Sequence, residues 1–488
     1  MFGHFLSSEM FNFDYTYLKL SPTFYHLQHP KPVIQPSLVL LNSELLNDMG
    51  IVGLQQNELV KILSGNEVPI SWRPFAQAYA GHQFGYFNML GDGRAIVLGE
   101  QIANGTERFD IQLKGSGPTK YSRKGDGRAT LQSMLREYLI SEAMNYLGIP
   151  TSRSMAVVKT GEKVQRESAS EGAVLTRVMK SHIRIGTFEY ARYLDSADEI
   201  KKLADYTINR LYPECKHSNH PYLSLFEMIV DKQVNLVTHW MRVGFIHGVM
   251  NTDNTSISGE SFDYGPCAFM NYYNPSTVYS SIDVNSRYSF ENQPNILKWN
   301  LCRLAESLIP IVHHDHQIAV DMLTELINDF DRKWKLSYNK MMLAKIGLDD
   351  SKADNIELVS QLCSIMETYQ LDYTNTFRHL TYHHSLDSKI DGNLESVEWM
   401  KKWKEKTHDS EGIIPQSKKW MMDNNPVLIP RNHLVEQAIK QAADGDISLF
   451  STYCEMIKNP YQNYSDRGVF VNPPSIDYEH NYKTYCGT

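Results

Sequence analysis

The feature of the sequence that most limits the fold is a change of hydrophobic pattern near residue 188. Between residues 79 and 187, short apolar runs typical of strands are separated by glycine turns, and a single long pattern at 131–147 has helical spacing. Beyond residue 188, helical spacing dominates. Strands that precede helices, rather than alternating with them, predict an α+β fold with a small mixed α/β lobe and a large, mainly helical lobe.

The first lobe can be predicted element by element. Three antiparallel strands are expected at 83–90, 95–98 and 109–113, with Gly91-Asp92-Gly93 as the turn between the first two. Asn104-Gly105 is a strong hairpin signal between the second and the third. Further along the chain we expect the helix at 131–147, strands at 154–158 and 173–179, and helices at 188–211, 222–243, 297–308, 318–333 and 356–369.

Domain boundaries follow from these patterns, because composition changes little along the chain. We expect an N-terminal extension packed on the core at 1–78 and the small lobe at 79–187. The helical lobe then spans 188–458, and a tail rich in Asn, Tyr and Pro runs as extended chain over 459–488.

Bulk properties exclude several classes of protein. A formal net charge of -8 argues against nucleic acid as the main partner. No stretch reaches the roughly 18 consecutive apolar residues of a membrane helix, and the first residues lack the pattern of a secretion signal. The six cysteines are scattered and form no disulfide framework. We therefore expect a cytoplasmic protein that does not enter a membrane and is a monomer.

Three features of the first lobe fit a site for a nucleoside triphosphate. Gly91-Asp92-Gly93-Arg94 is a glycine turn that would let backbone N–H groups approach phosphate, and Lys114 ends the third predicted strand. Glu137, in the middle of the following helix, could hold that lysine. Each feature taken alone is more often an ordinary hairpin, a surface lysine or an exposed helix glutamate.

The sharper signal is Asp253-Asn254, followed after a short interval by Asp263-Tyr264-Gly265. Carboxylate and amide oxygens are the ligands that Mg²⁺ prefers, although a pair of turns built on Asn and Asp would look the same. The order of glycine turn, strand lysine, helix glutamate, loop Asn and final Asp is that of a protein kinase. The order therefore predicts a protein-kinase-like fold of two lobes that binds a nucleoside triphosphate with Mg²⁺.

One departure from the kinase pattern concerns the catalytic base. The kinase catalytic loop has His-Arg-Asp, whereas this chain has His247-Gly248-Val249, so that Val249 occupies the position of the aspartate. The nearest replacement for the base is Asp253.

Four stretches of the chain resemble the selenoprotein O family, also known as the YdiU or UPF0061 family. They are YAGHQFGYFNMLGDGRAIVLGE, DIQLKGSGPTKYSRKGDGRATLQSMLREYL, TRVMKSHIRIGTFE and HGVMNTDNTSISGESFDYGPCAF, which together span about residues 79–269. Members of this family are pseudokinases that bind ATP in a flipped orientation and transfer AMP to Ser, Thr or Tyr hydroxyls of proteins. The resemblance implies that activity for this chain.

The resemblance also implies roles for individual residues. Asp253 would be the general base, Asn254 and Asp263 would hold the metal ion, and Lys114 would bind phosphate while paired with Glu137. Arg177 and Arg184 would grip the terminal phosphate, for which a planar guanidinium is well suited. The remaining nucleotide contacts would come from Gly91, Gly93, Arg94, Asp126, Gly127 and Asp263.

Two other functions remain open from the residues themselves. The first is a phosphotransferase that moves the γ-phosphate with Asp253 as base, and the second is a scaffold that binds nucleotide without catalysis. With Mn²⁺ the same site could transfer UMP from UTP. Because the family carries a cysteine or selenocysteine near its end, Cys267 and Cys486 are expected to form a redox-sensitive disulfide, although two unrelated thiols would fit the sequence as well.

Overall fold

The computed structural model describes residues 10–349 and 352–485. Its strands are β1 (Phe13–Asp14), β2 (Tyr25–Leu27), β3 (Ser37–Leu41), β4 (Phe75–Gln77), β5 (Ala80–Gln83), β6 (Tyr86–Met89), β7 (Ala95–Ala103), β8 (Glu107–Lys114), β9 (Ala129–Thr130), β10 (Arg153–Gln165), β11 (Ala169–Met179), β12 (Phe245–Ile246), β13 (Ala268–Phe269), β14 (His408–Asp409) and β15 (Gly412–Ile413). Its helices are α1 (Ser43–Asp48), α2 (Gln56–Leu63), α3 (Leu131–Tyr146), α4 (Ile185–Tyr193), α5 (Ala197–Leu211), α6 (Pro221–Val243), α7 (Gln293–Val312), α8 (His316–Lys345), α9 (Ala353–Thr368), α10 (Tyr373–His383), α11 (Leu394–Thr407), α12 (Pro415–Asn424), α13 (Asn432–Ala443), α14 (Ser448–Met456) and α15 (Ile476–Asn481).

The small lobe is built on an antiparallel sheet. Its strand order is β2-β4-β7-β8-β11-β10-β3, with β1 paired to β7 and β9 paired to β11. One face of the sheet packs on α1 and α2, and the other on α3, which is itself covered by α13 and α14. The sheet with these helices forms a small mixed α/β lobe, and the predicted α+β class with a small mixed lobe and a large, mainly helical lobe is confirmed.

The chain before residue 79 forms part of this sheet. Strands β1 to β4 all lie there, and Phe75 of β4 pairs with Val97 of β7. The predicted extension therefore does pack on the core, by extending the sheet at both sides. The domain boundaries themselves stay predictions.

The predicted strand at 83–90 is wrong in detail. Phe84 and Gly85 have positive φ angles of 51° and 87° and turn the chain back, so that β5 and β6 form a two-stranded hairpin apart from the main sheet. Gly85 is the main sequence signal for a hairpin in this segment, whose other residues fit a continuous strand. The neighbour of β7 in the main sheet is β4 instead.

The helical lobe encloses the largest apolar core, in which α6, α7 and α8 pack together. The predicted helix at 188–211 is two helices, because Asp195 has a positive φ of 52° and Ser196 caps α5 by accepting a hydrogen bond from the Glu199 amide. Other helices begin and end close to their predicted limits, except α8, which continues to Lys345. Within residues 10–349 and 352–485, no helix is long and apolar enough to cross a membrane.

The tail was predicted as extended chain and is partly helical. A 3₁₀ segment spans Ser465–Val471, and α15 follows it. Glu479 of α15 accepts a hydrogen bond from Asn271 Nδ2 at 2.6 Å, and Thr484 Oγ1 donates to the carbonyl of Pro266 at 2.7 Å. The tail is therefore fixed against the loop that follows Asp263.

Candidate active site

A cleft of about 860 Å³ lies between the lobes. Every predicted nucleotide, metal or base residue lines it, namely Gly91, Gly93, Arg94, Lys114, Asp126, Gly127, Glu137, Arg177, Arg184, Asp253, Asn254 and Asp263. Their predicted roles stay predictions, but the positions that the sequence singled out do meet in one place.

The glycine turn at residues 91–93 lines the cleft on the side of the small lobe. Gly91 has a φ of 134°, and a Cβ there would lie 2.5 Å from the Tyr121 ring, so only glycine allows the following loop to pack against the turn. That loop is fastened by Thr119 Oγ1, which donates to the Asp92 carbonyl at 2.5 Å, and by Ser122 Oγ, which donates to the Gly93 carbonyl. The loop also carries Asp126 into the cleft wall.

Lys114 and Glu137 form the expected ion pair. Lys114 Nζ lies 2.7 Å from Glu137 Oε2, and it also lies 2.9 Å from Asp263 Oδ1. Glu137 is only 2% exposed, so it is not the surface glutamate that its position on the flank of the apolar stripe suggested. Lys114, at the end of β8, thus links Glu137 of α3 to Asp263 of the helical lobe.

Two buried arginines, Arg177 and Arg184, add to the positive charge that Lys114 places beside Asp263. Arg177 Nη1 lies 2.6 Å from Asp263 Oδ1 and 3.1 Å from Glu137 Oε1. Arg184 Nη1 lies 3.8 Å from Asp263 Oδ2 and donates to the Asp253 carbonyl at 3.0 Å. Its guanidinium stacks 4.0 Å above the Tyr79 ring, while Nη2 has no hydrogen-bond partner among the described residues.

The charges around Asp263 decide its protonation state. Burial alone would raise the pKa of this carboxyl, but Lys114, Arg177 and Arg184 outweigh burial and hold the pKa well below its usual value. Asp263 is therefore ionised at neutral pH. Its backbone has a positive φ of 58°, and Asp tolerates the left-handed region better than most residues do.

Asp253 is held by the β5–β6 hairpin. Gln83 Nε2 donates to its Oδ2 at 3.3 Å, and a Cβ on Gly81 would lie 2.4 Å from its Oδ1, so the hairpin backbone touches the carboxylate. Oδ1 has no hydrogen-bond partner among the described residues. Burial raises the pKa of Asp253 to about 6, although Arg184 opposes this shift. Val249, at the position of the kinase base, lines the same cleft.

Asn254 and Asp263 offer oxygen atoms to a cation. Asn254 Nδ2 donates to the Val249 carbonyl at 3.1 Å, which leaves its side-chain oxygen available. Among the described residues, no group of three or more His, Cys, Asp or Glu could hold a metal ion. Mg²⁺ commonly takes one or two protein oxygens and completes its shell with phosphate and water. These two residues fit such an ion when it arrives with a polyphosphate.

Asp126 and Gly127 lie at the outer wall of the cleft. Asp126 accepts two hydrogen bonds from Arg166, at 2.9 and 3.0 Å, and a third from the Arg128 amide at 2.9 Å. Gly127 has a φ of 66°, and a Cβ there would overlap the backbone of Gly117 at 2.1 Å. A glycine is therefore required for the loop to close.

The predicted disulfide is only partly within the described residues. Cys267 is fully buried, and burial raises the pKa of its thiol to about 12. Cys486 lies outside the described residues, so the pairing stays a prediction.

Sequence reasoning missed several residues of the site. It did not single out Gly81 and Gln83 for contact with Asp253, or Gln112, whose Oε1 accepts from Arg177 Nη2 at 2.6 Å. Gln83 and Asp253 are 170 positions apart, and no local pattern reports such a contact. Gly81 and Gly85, the two glycines between residues 79 and 86, were the available hints.

The antiparallel sheet lobe, the helical lobe and the Lys114–Glu137 pair facing Asn254 and Asp263 define a kinase-like protein. The family model described as "Protein adenylyltransferase SelO" matches residues 8–458. This chain belongs to that family, as predicted.

Curated relatives agree with the family assignment. "Protein nucleotidyltransferase YdiU" from Shouchella clausii is 47% identical over 98% of this chain and 99% of its own length. Relatives of the same name from Bacillus cytotoxicus and Clostridium botulinum are 47% and 46% identical, each over 98% of both chains. A solved structure of ROP2 from Toxoplasma gondii, described as having a protein-kinase fold and no enzymatic activity, covers 60% of this chain and 87% of its own. The TM-score of this match is 0.25, and the sequence identity is 11%.

Proposed function

We propose that this chain transfers AMP from ATP to Ser, Thr or Tyr hydroxyls of proteins, with Asp253 as the general base. The observation that carries the proposal is the pairing of Val249, which cannot accept a proton, with a buried carboxylate at Asp253 that lines the same cleft. A protein with the ordinary kinase geometry would place its base at residue 249.

The surplus of cations supports a flipped nucleotide. A kinase holds the phosphates with one strand lysine and metal ions. Here Arg177 and Arg184 join Lys114 around Asp263, and all three are at least nine-tenths buried. Such a cluster suits a terminal phosphate placed deep in the cleft, which would leave the α-phosphorus facing the acceptor. Arg184 Nη2 has no hydrogen-bond partner among residues 10–349 and 352–485, although it forms an ion pair with Asp92 Oδ1 at 3.7 Å, and it would donate to that phosphate.

Asn254 and Asp263 would hold Mg²⁺ or Mn²⁺. The ion would supply positive charge that offsets the phosphates, and with Mn²⁺ the same site would accept UTP and transfer UMP. In the free protein, Lys114, Arg177 and Arg184 offset the negative charge of the ionised Asp263 carboxylate. When a nucleotide binds, they would turn toward its phosphates and leave the carboxylate to the ion.

The chain's own residues account for the proton. Oδ1 of Asp253 would accept the proton of the acceptor hydroxyl as its oxygen attacks the α-phosphorus, and the bond to pyrophosphate would break. Gln83 orients the carboxylate through Oδ2, and the buried Oδ1 has no hydrogen-bond partner among the described residues. A pKa of about 6 keeps most of Asp253 ionised at neutral pH while retaining useful basicity.

The test is a mass measurement on an acceptor protein. Purified full-length chain is incubated with ATP, Mg²⁺ and casein, and the casein is analysed by intact mass and by peptide mapping. The proposal expects the mass of an AMP group on a Ser, Thr or Tyr side chain. A phosphate on the same side chain would show a kinase. Unmodified casein and unmodified enzyme, together with tight ATP binding, would show a scaffold.

A further inference from the structure

The β5–β6 hairpin has two faces with different surroundings. Gly81 and Gln83 face Asp253, and the Phe84 amide donates to Asn251 Oδ1 at 3.0 Å. The His82 amide donates to Thr252 Oγ1 at 2.7 Å, so the hairpin is fastened to the segment that carries Asp253. Whatever binds on the hairpin therefore lies beside the proposed base.

The other face of the hairpin carries exposed aromatic rings. Phe87, paired with His82 across the hairpin, is 41% exposed, and its ring stacks 5.9 Å from Tyr193, which is 62% exposed. The His82 ring lies 5.3 Å from the Trp299 ring. Exposed aromatic rings that lie next to one another mark a binding site for another molecule more often than scattered ones do.

Positive charge borders these rings. The guanidinium groups of Arg287 and Arg303 each lie 4.9 Å from the centre of the Trp299 ring. Arg287 also packs against the Gly85 turn. Its backbone amide donates to Asp283 Oδ1 at 2.9 Å, whereas its guanidinium has no carboxylate within 4.0 Å among the described residues. Arg303 pairs with Glu306, which is more than half exposed, at 2.8 Å. The border is therefore able to receive a carboxylate.

The edge of β6 at Phe87 can pair with another strand, whereas the Met89 carbonyl on the same edge accepts a hydrogen bond from Arg123 Nη2 at 2.6 Å. The Leu90 amide donates to the Tyr79 carbonyl, and Ala80 pairs with Met89, so hydrogen-bonded pairs alternate along the hairpin. This alternation turns the N–H and C=O of Phe87 away from β5, and the described chain places no further strand there. An extended peptide adds to such an edge through its backbone.

We propose that this surface, the hairpin shelf, docks the acceptor protein. We define the hairpin shelf as the edge of β6 with Phe87, Tyr193, Trp299 and Arg287. Its occupant would be an extended segment in which an apolar residue and a carboxylate flank the hydroxyl to be modified. The apolar residue would rest on Phe87 and Tyr193, and the carboxylate would meet Arg287. This inference rests on the proposed function, because it assigns the acceptor of the same site.

The test measures binding, separately from transfer. Two synthetic peptides of equal length carry one central tyrosine with leucine neighbours, and one has glutamates where the other has lysines. Their affinities for the full-length chain are measured by fluorescence anisotropy with a non-hydrolysable ATP analogue present. We expect the glutamate peptide to bind at least about tenfold more tightly, Arg287→Glu to reverse the order, and Phe87→Ala to weaken both peptides by about tenfold.

Matched variants control for charge and apolar area. Arg332→Glu and Leu394→Ala alter exposed residues that do not line the cleft, and we expect both to leave the affinities unchanged. Equal affinity for the two peptides, no binding of either, or the same effect from Arg332→Glu as from Arg287→Glu would overturn the inference. Failure of the wild-type chain to modify any acceptor would instead count against the proposed function, because the binding result does not depend on turnover.

Discussion

Arg177 Nη1 lies 2.6 Å from Asp263 Oδ1, the same oxygen that Lys114 Nζ meets at 2.9 Å. Among the described residues, Lys114 Nζ makes two hydrogen bonds with its three N–H groups, and the Arg177 guanidinium makes four with its five. The free protein therefore keeps its cations in place by means of Asp263, and a polyphosphate would offer them additional oxygens. This arrangement links the proposed metal ligand to the proposed phosphate ligands.

The arginine pair should discriminate ATP from AMP. Arg177→Lys and Arg184→Lys keep the charge but lose the planar fork, so we expect each to weaken ATP binding by about tenfold or more and AMP binding by less than about twofold. Calorimetric titration of both nucleotides measures the difference. Arg332→Lys, an exposed position, serves as the control. An equal loss for ATP and AMP would place the arginines away from the terminal phosphate.

Asp253→Asn tests the base. The change keeps the shape of the side chain and removes its ability to accept a proton, so AMP transfer should fall by about 10²–10⁴-fold while ATP affinity is retained. Rates come from α-labelled ATP and affinities from titration. Asp444→Asn changes an exposed aspartate at the end of α13 and should have no effect. A variant at residue 253 that turns over at the wild-type rate would exclude Asp253 as the base.

Gly81→Ala tests the support of that base. The added methyl would lie 2.4 Å from Asp253 Oδ1 and 2.8 Å from its Cβ, so the carboxylate must move. We expect transfer to fall by at least about tenfold, because small misplacements of catalytic groups are costly, with ATP affinity close to wild type. Gly105→Ala, where no atom lies within 4 Å, should cost about 1 kcal/mol of stability through its positive φ and leave transfer intact. Unchanged transfer in Gly81→Ala would show that the hairpin does not position Asp253.

Glu260 should make stability depend on pH. Burial raises the pKa of this carboxyl to about 7, although it accepts hydrogen bonds from Ser258 Oγ and the Lys180 amide. A raised pKa means that the folded state binds the proton more tightly than the unfolded state does. The contribution of Glu260 to the free energy of unfolding is therefore fully present below the pKa that this carboxyl has in the unfolded state. It is lost as the pH rises through about 7.

The corresponding measurement compares Glu260→Gln with wild type in urea between pH 5 and pH 8. The free energy of unfolding of the wild type should fall relative to that of the variant by about 1–3 kcal/mol over this range. Groups that titrate in both proteins cancel in the comparison. A difference that stays constant with pH would show that Glu260 has an ordinary pKa.

Local patterns predicted those parts of the site that lie in order along the chain. The Lys114–Glu137 pair follows from a strand end and a helix in succession, and α3 ends at Tyr146, close to the Gly148 that predicts its end. The burial of Glu137 did not follow, because its second partner, Arg177, lies 40 positions away on β11 and no local pattern places the two together. The contact of Gln83 with Asp253 could not be predicted either. It depends on the β5–β6 hairpin, whose sequence also fits a single continuous strand.

The tail shows the same limit. Its Asn, Tyr and Pro content predicted extended chain, yet α15 forms, with Ser475 capping it by accepting from the Tyr478 amide at 3.2 Å. Contacts with Asn271 and Pro266 hold the segment, and these partners are about 200 positions away in the sequence. Tertiary contacts decided the conformation where the local propensity was weak.

The most direct test uses ATP labelled separately on the α- and the γ-phosphate, with casein as acceptor and Mg²⁺ present. Wild type and Asp253→Asn are run in parallel, and the label on casein is counted after separation from free nucleotide. We expect α-label on casein with the wild type, no γ-label, and neither label with Asp253→Asn. Transfer of the γ-label to casein would contradict the account, because it would mean that the cleft presents the terminal phosphate, and not the α-phosphorus, to the acceptor.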